Sequence, residues 1–152
     1  MARWARGEAE IEQLITAGSL QRVTGAQADG TPLLDQAGKT AATAAKLIPD
    51  DAYSACVLAY DAARFACAAL LAQQGLRATT SGGHYAVERA VRAQFGDGFR
   101  PFGALRRRRN ELEYPHHLSD TATTEEARQA ADTAGQLITA ATQLLPQMPL
   151  FT

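Results

Sequence analysis

The chain has 152 residues, 46% of them hydrophobic and 20% charged, with a net charge of -1, which fits one globular domain and leaves little room for two. A domain of this length buries roughly 68–70% of its unfolded surface, so it needs neither a disulfide nor a metal to fold. Its 32 alanines, against 12 glycines and 6 prolines, argue for helices and against a β-sandwich, because ordering alanine in a helix costs no side-chain entropy.

In chain order, Glu8 to Ala17 reads as a short amphipathic helix with Ile11, Leu14 and Ile15 on one face and Glu8, Glu10 and Glu12 at its N-terminal end; Gly18 stops it. Ser19 to Gly30 reads as a short helical turn and loop. Thr31 and Pro32 form an N-cap and N1 pair, opening a helix to about Ile48 with Leu33, Leu34, Ala37, Ala41, Ala44, Ala45 and Ile48 inward; Pro49 closes it. Asp50 and Asp51 start the longest helix, which runs to about Gln74 and stops at Gly75. Tyr53, Val57, Tyr60, Cys67 and Leu71 make one stripe of it, and alanines fill much of the rest, so the helix is expected at the centre, open to neighbours or a second subunit.

Arg77 to Gly83 reads as a loop, His84 to Phe95 as a helix, GDGFRP as a loop, and Pro101 to Tyr114 as a helix that Pro115 kinks or ends. Thr123 to Glu126 open a last helix reaching about Leu145, with Ala127, Ala130, Ala131, Ala134, Leu137, Ile138, Ala141 and Leu145 inward; the tail PQMPLFT is apolar but short. No strand-like alternation is visible. The expected fold is an all-α antiparallel bundle of four main helices with one or two short extra ones, a single domain with residues 1–30 as an N-terminal extension and 31–145 as the bundle core.

The start of the chain holds no apolar run of signal-peptide type, and Ala52 to Ala72 is broken by Asp61 and Arg64, so a membrane span is not expected. Cys56 and Cys67 share one face of a helix but sit roughly 16 Å apart along it, too far to bridge, and read as inert core thiols. A reducing cytoplasm is the expected compartment.

Charge is unevenly placed. Residues 77–109 hold eight arginines against Glu88 and Asp97, while residues 110–152 hold Arg128 against six acids. The basic block ends in LRRRRNELEYPHH, Leu105 to His117. Arg107 with Glu111 and Arg109 with Glu113 have the spacing of helix-surface ion pairs. Yet arginine precedes glutamate in both, and the cations fill the first turns, against the helix dipole, so local stability does not account for the order. A segment that breaks local rules is a candidate functional site.

This segment resembles the signature of the HEPN superfamily, small helical bundles marked by an arginine, a polar residue such as asparagine, and a histidine after four to six intervening residues. Arg109-Asn110 followed by His116 matches that form, RNELEYP resembles the RNxxEY pattern of many bacterial members, and Ala59 to Arg77 resembles the long helix that precedes it. The resemblance covers roughly residues 30 to 145. It implies a metal-independent endoribonuclease of toxin–antitoxin or defence type, or a descendant that kept the fold and lost catalysis, acting as a homodimer whose two motifs meet at the interface.

Under that resemblance Arg109 stabilises the phosphorane, His116 is base or acid, and Asn110 holds a phosphate oxygen or orients His116. Arg106, Arg107 and Arg108 attract the RNA backbone; Glu113, Tyr114 and His117 support the site, His117 being an equally placed substitute for His116. Partners implied are a second copy of the chain, RNA and a cognate antitoxin, with no cofactor, metal or membrane. The alternative is a non-catalytic RNA- or protein-binding module in which Arg109, Asn110, Glu113 and Tyr114 form a buried polar lock.

Two departures from the family pattern bear on the chemistry. Pro115 interrupts the helix that would put His116 on the face of Arg109, and the tyrosine that some toxin members carry two residues after the histidine is Leu118 here. Elsewhere, His84 and Glu88 have metal-ligand spacing but lack a third ligand, and read as a solvated helix face. Gly82-Gly83 lacks the strand and the Lys-Ser/Thr of a P-loop, and no serine elbow is present. Asp61 and Arg64 read as an intrahelical pair, with reach toward the Arg106–Glu113 face as the alternative, and Trp4 as packing or tail.

Overall fold

A computed structural model describes residues 2–117 and 121–152; Leu118 lies outside them. The described residues form an all-α protein of six helices: α1 (Glu8–Thr16), α2 (Thr31–Leu47), α3 (Ala52–Gln73), α4 (Gly83–Phe95), α5 (Arg100–Glu113) and α6 (Thr124–Leu144). Capping is local. Asp51 Oδ1 accepts from Ser54 N at 3.0 Å to start α3, and Thr123 Oγ1 accepts from Glu126 N at 3.1 Å to start α6. Gly75, at φ 74°, takes the left-handed conformation that ends α3.

At α2 the expected cap shifts by one residue. Thr31 is the first helical residue and Gly30 sits at the cap, where a side chain would run into the Ala69 carbonyl of α3. The capping oxygen comes from Asp29, which accepts from Thr31 N at 2.9 Å, and this bond holds the Asp29 carboxyl below its usual range.

α3 is the central element, packed against α2 and α6 and also against α4 and α5. Twelve of its 22 residues are buried, seven of them alanines that let neighbours approach, so its small faces are covered within the chain. Tyr53 departs from the expected stripe and is exposed, as is Ala45 on α2. α3 is the one described helix long and apolar enough to cross a membrane, and 67% of its most apolar stretch is buried inside the fold. Cys56 and Cys67 are free and buried, and burial pushes the Cys56 thiol up to about 11.

The 19–30 segment differs from the expectation of a helical turn. Leu20–Arg22 forms a strand, β1, paired antiparallel with β2 (Leu76–Ala78), Leu20 opposite Ala78 and Arg22 opposite Leu76, and a 3₁₀ turn follows at Gly25–Gln27. Strands this short carry no readable alternation; burial of Leu20 and Leu76 and the end of α3 define them. GDGF is likewise a 3₁₀ turn, leading into α5 at Arg100.

Both chain ends join the core. Trp4 Nε1 donates to the Gln94 carbonyl at 3.1 Å and its ring meets Phe95 at 5.5 Å. Phe151 is buried and its N–H donates to the Gln74 carbonyl at 2.8 Å. Between these ends the Gln74 and Gln94 amides, both fully buried, bond to each other at 2.6 and 3.0 Å, so neither carries an unmet polar cost.

Candidate functional site

Helical spacing on α5 decides where each arginine goes. Phe102 and Leu112 are buried, Phe102 stacking on Tyr60 of α3 at 5.6 Å, and this anchors one face of α5 on the core. Arg106, four residues after Phe102, is carried to α4, where its Nε donates to Glu88 Oε2 at 2.6 Å and its guanidinium lies 5.4 Å from the Tyr85 ring. Gly103 makes this seam possible, since a side chain there would collide with the Glu88 carboxylate. Arg107, the most exposed of the run, reaches the other Glu88 oxygen at 3.7 Å.

Arg108 turns the opposite way, to α6. It pairs with Glu126, its Nη2 lying 3.2 Å from Oε2, and with Glu111 at 3.1 Å. The bonds to Glu126 raise the Arg108 pKa further, against the opposing effect of partial burial. Arg109 pairs with Glu113 on its own helix, while its Nε is buried with no hydrogen-bond partner among the described residues.

Of the two expected helix-surface pairs, Arg109–Glu113 forms and Arg107–Glu111 does not, because Glu88 draws Arg107 and Arg108 takes Glu111. Glu88 is correspondingly buried and ion-paired, which corrects the reading of His84 and Glu88 as a solvated face. Asp61 and Arg64 lie 4.0 Å apart on α3, as the intrahelical reading has it.

α5 ends at Glu113, with Tyr114 as its C-cap at φ -124°. Pro115 and the exposed His116 and His117 follow beyond the helix, so the seven-residue spacing that would align His116 with Arg109 has no helix to act through. Asn110, Glu113 and Tyr114 are exposed, so they do not form the buried lock; the inter-helix ties are Arg106–Glu88 and Arg108–Glu126.

The third histidine stands apart from His116 and His117, on α4. His84, in the first turn of α4, lies with its ring 5.5 Å from Tyr60. Partial covering of that ring lowers its pKa from the usual 6.5, and the positive charges of Arg64, Arg109 and Arg106 lower it further against the pull of Asp61. The Tyr60 hydroxyl beside it is buried without a partner among the described residues, and burial pushes its pKa up. Arg64 Nε is in the same condition. The arrangement sets an imidazole of lowered pKa in the field of three guanidiniums, of which Arg106 and Arg109 are paired to Glu88 and Glu113 while Arg64 has Asp61 only at 4.0 Å.

Sequence reasoning missed His84 and Tyr60 as parts of this cluster. The available signal was Asp61 and Arg64, two charges inside an otherwise apolar helix, with Arg106 and Arg109 as the far side of their reach. Among the described residues no group of three or more His, Cys, Asp or Glu side chains is placed to hold a metal ion.

Fold and site together define an all-α protein in which one partly covered imidazole packs on Tyr60 within the field of three arginines. No protein-family model matches the chain, and no characterised protein or solved structure matches it.

Proposed function

We propose that this chain is a HEPN-like antiparallel bundle that binds RNA and cleaves it without a metal, a cytoplasmic homodimer of toxin–antitoxin or defence type with a cognate antitoxin as partner. The observation that carries the reading is the His84 ring packed on Tyr60, with its pKa lowered first by partial burial and then by the charges of Arg64, Arg109 and Arg106. With its pKa lowered, the imidazole is neutral near pH 7 and can take the proton of a ribose 2'-OH. The 2'-oxygen then attacks phosphorus, the bond to the 5'-oxygen breaks, and the leaving oxygen takes a proton from water while His84 returns its own to the solvent, giving a 2',3'-cyclic phosphate and a 5'-OH. Arg109 and Arg64 supply fixed charge for the phosphorane. The exposed Tyr85, flanked by Arg106 and Arg89, offers a stacking face to a base.

The test is cleavage of single-stranded RNA by the purified protein in EDTA. Arg109→Ala is expected to abolish it, and His84→Ala to lower it on the order of 10²-fold or more. Cleavage that survives His84→Ala but not His116→Ala moves the base to the segment beyond α5, and a requirement for added Mg²⁺ overturns the mechanism. The second reading, a non-catalytic binding module, is favoured by the ion pairs of Arg106 and Arg108, which commit both to carboxylates. Salt-sensitive RNA binding without cleavage decides for it.

A further inference from the structure

A cleft lined by α2, α3, β2 and α4 holds Arg64 and His84, which the RNA reading also uses. It has a volume of about 550 Å³, within the range of small-molecule sites. One face of α3 forms its floor, through Arg64, Ala68, Leu71 and Ala72, positions that share a helical stripe. The 3₁₀ turn after β1, the start of α2 with Pro32 and Leu33, strand β2 with Leu76, and Val87 of α4 complete walls that are mainly aliphatic. From Arg64 to Ala72 the floor runs about 12 Å along the helix axis.

The two ends of the floor differ in chemistry. The Ala72 end meets Leu76 and, at the rim, Arg77; the other end has Arg64 and His84. Arg64 holds unused donor capacity there. Its Nε–H is buried without a hydrogen-bond partner among the described residues, its guanidinium lies over the Phe65 ring at 4.6 Å, and the Asp61 carboxylate at 4.0 Å is beyond hydrogen-bond range. The acid in the lining, Asp29, is engaged by the Thr31 N–H at the start of α2.

We propose that this cleft binds a single-chain amphipathic anion, its aliphatic body on the Leu33, Leu71, Leu76 and Val87 walls and its carboxylate or phosphate head on Arg64 and His84. An aliphatic body matches walls without an aromatic platform, and an anionic head complements the Arg64 guanidinium, which has Asp61 beyond hydrogen-bond range. The head chemistry is shared by carboxylates and phosphate monoesters, and two probes separate them.

The experiment titrates the full chain with decanoate and with decyl phosphate, following the thermal midpoint and calorimetric heat, with decanol and decylamine as uncharged and cationic counterparts. At least one anion is expected to bind and raise the midpoint, and the tighter of the two identifies the head group; decanol and decylamine are expected to bind at least tenfold more weakly, by the loss of one charge-assisted contact. Arg64→Gln is expected to weaken the anion roughly tenfold, and Ala68→Phe, which fills the floor, to abolish binding. Lys46→Gln, on α2 outside the cleft, leaves it unchanged. Circular dichroism verifies that Ala68→Phe folds; if it does not, Leu33→Trp at the cleft wall takes its place. Equal binding of decanol, retained binding in a folded cleft-filled variant, or no binding of either anion overturns the proposal. None of the probes contains a nucleotide, so binding in the cleft and cleavage of RNA are read out separately, although both readings use Arg64 and His84.

Discussion

The two flanks of α5 use the same residue type in opposite ways. On the α6 flank Arg108 has two carboxylates, Glu126 and Glu111, and its donors are taken up. On the α3–α4 flank Arg106 is tied to Glu88, but the Arg64 and Arg109 Nε donors and the Tyr60 hydroxyl lack partners, and His84 is held neutral beside them. Arginine satisfied by acids fastens helices together; the Arg64 guanidinium, with Asp61 beyond hydrogen-bond range, is left for a ligand. Both flanks carry a tie between helices, Arg106–Glu88 and Arg108–Glu126, and the proposed chemistry belongs to the second.

The strongest way to break the contrast is to remove the floor of the α3–α4 flank. Phe102→Ala deletes a fully buried ring stacked on Tyr60 and is expected to cost about 3–5 kcal/mol in urea unfolding. Next comes Glu88→Ala, which strands Arg106 on a partly covered seam; a loss of about 1–3 kcal/mol is expected, with the Glu88→Ala/Arg106→Ala double variant recovering part of it. A loss under about 0.5 kcal/mol, typical of an exposed pair, would show that the seam does not depend on this tie.

The α6 flank should respond less. Glu126→Ala is expected to cost about 0.5–1 kcal/mol, because Arg108 keeps Glu111 and both groups retain some solvent. If Glu126→Ala costs more than Glu88→Ala, the ranking of the two flanks is reversed.

The smallest effect sharpens the electrostatic half of the comparison. His84 has a folded-state pKa below its usual 6.5, so in the window between the two values the unfolded chain binds more protons. Stability contributed by the neutral imidazole is therefore complete above that window, falls as pH drops through it, and levels off below the folded value. His84→Gln is expected to remove this slope in unfolding measurements across the window, leaving the carboxylate-driven acid limb in place. An unchanged slope would mean that neither partial burial nor the neighbouring arginines act on this ring.

Helices, caps and stops were legible because their causes are local. Pro32, Asp51, Thr123 and Gly75 punctuate the chain within a few residues of the elements they bound, and the four-residue spacing of Arg109 and Glu113 forms its pair on one helix. The end of α5 before Pro115 follows from the same short-range sterics. Composition likewise sufficed to mark α3 as the central helix, since an apolar surface on nearly every side has to be covered.

What lay beyond that reach joins residues distant in the chain. The β1–β2 pair depends on bringing Leu20 beside Leu76, and strands of three residues hold too little pattern to announce themselves. Glu88 appeared to be a surface acid until α5 packed over it through Gly103, drawing Arg106 and Arg107 away from local partners. The grouping of Arg64, His84 and Arg109 comes from three different helices meeting around Tyr60, and the donors left unmet there exist only once burial has removed water from them. Periodicity and capping act over a turn of helix, whereas desolvation and charge pairing act across whichever surfaces the packed helices bring together.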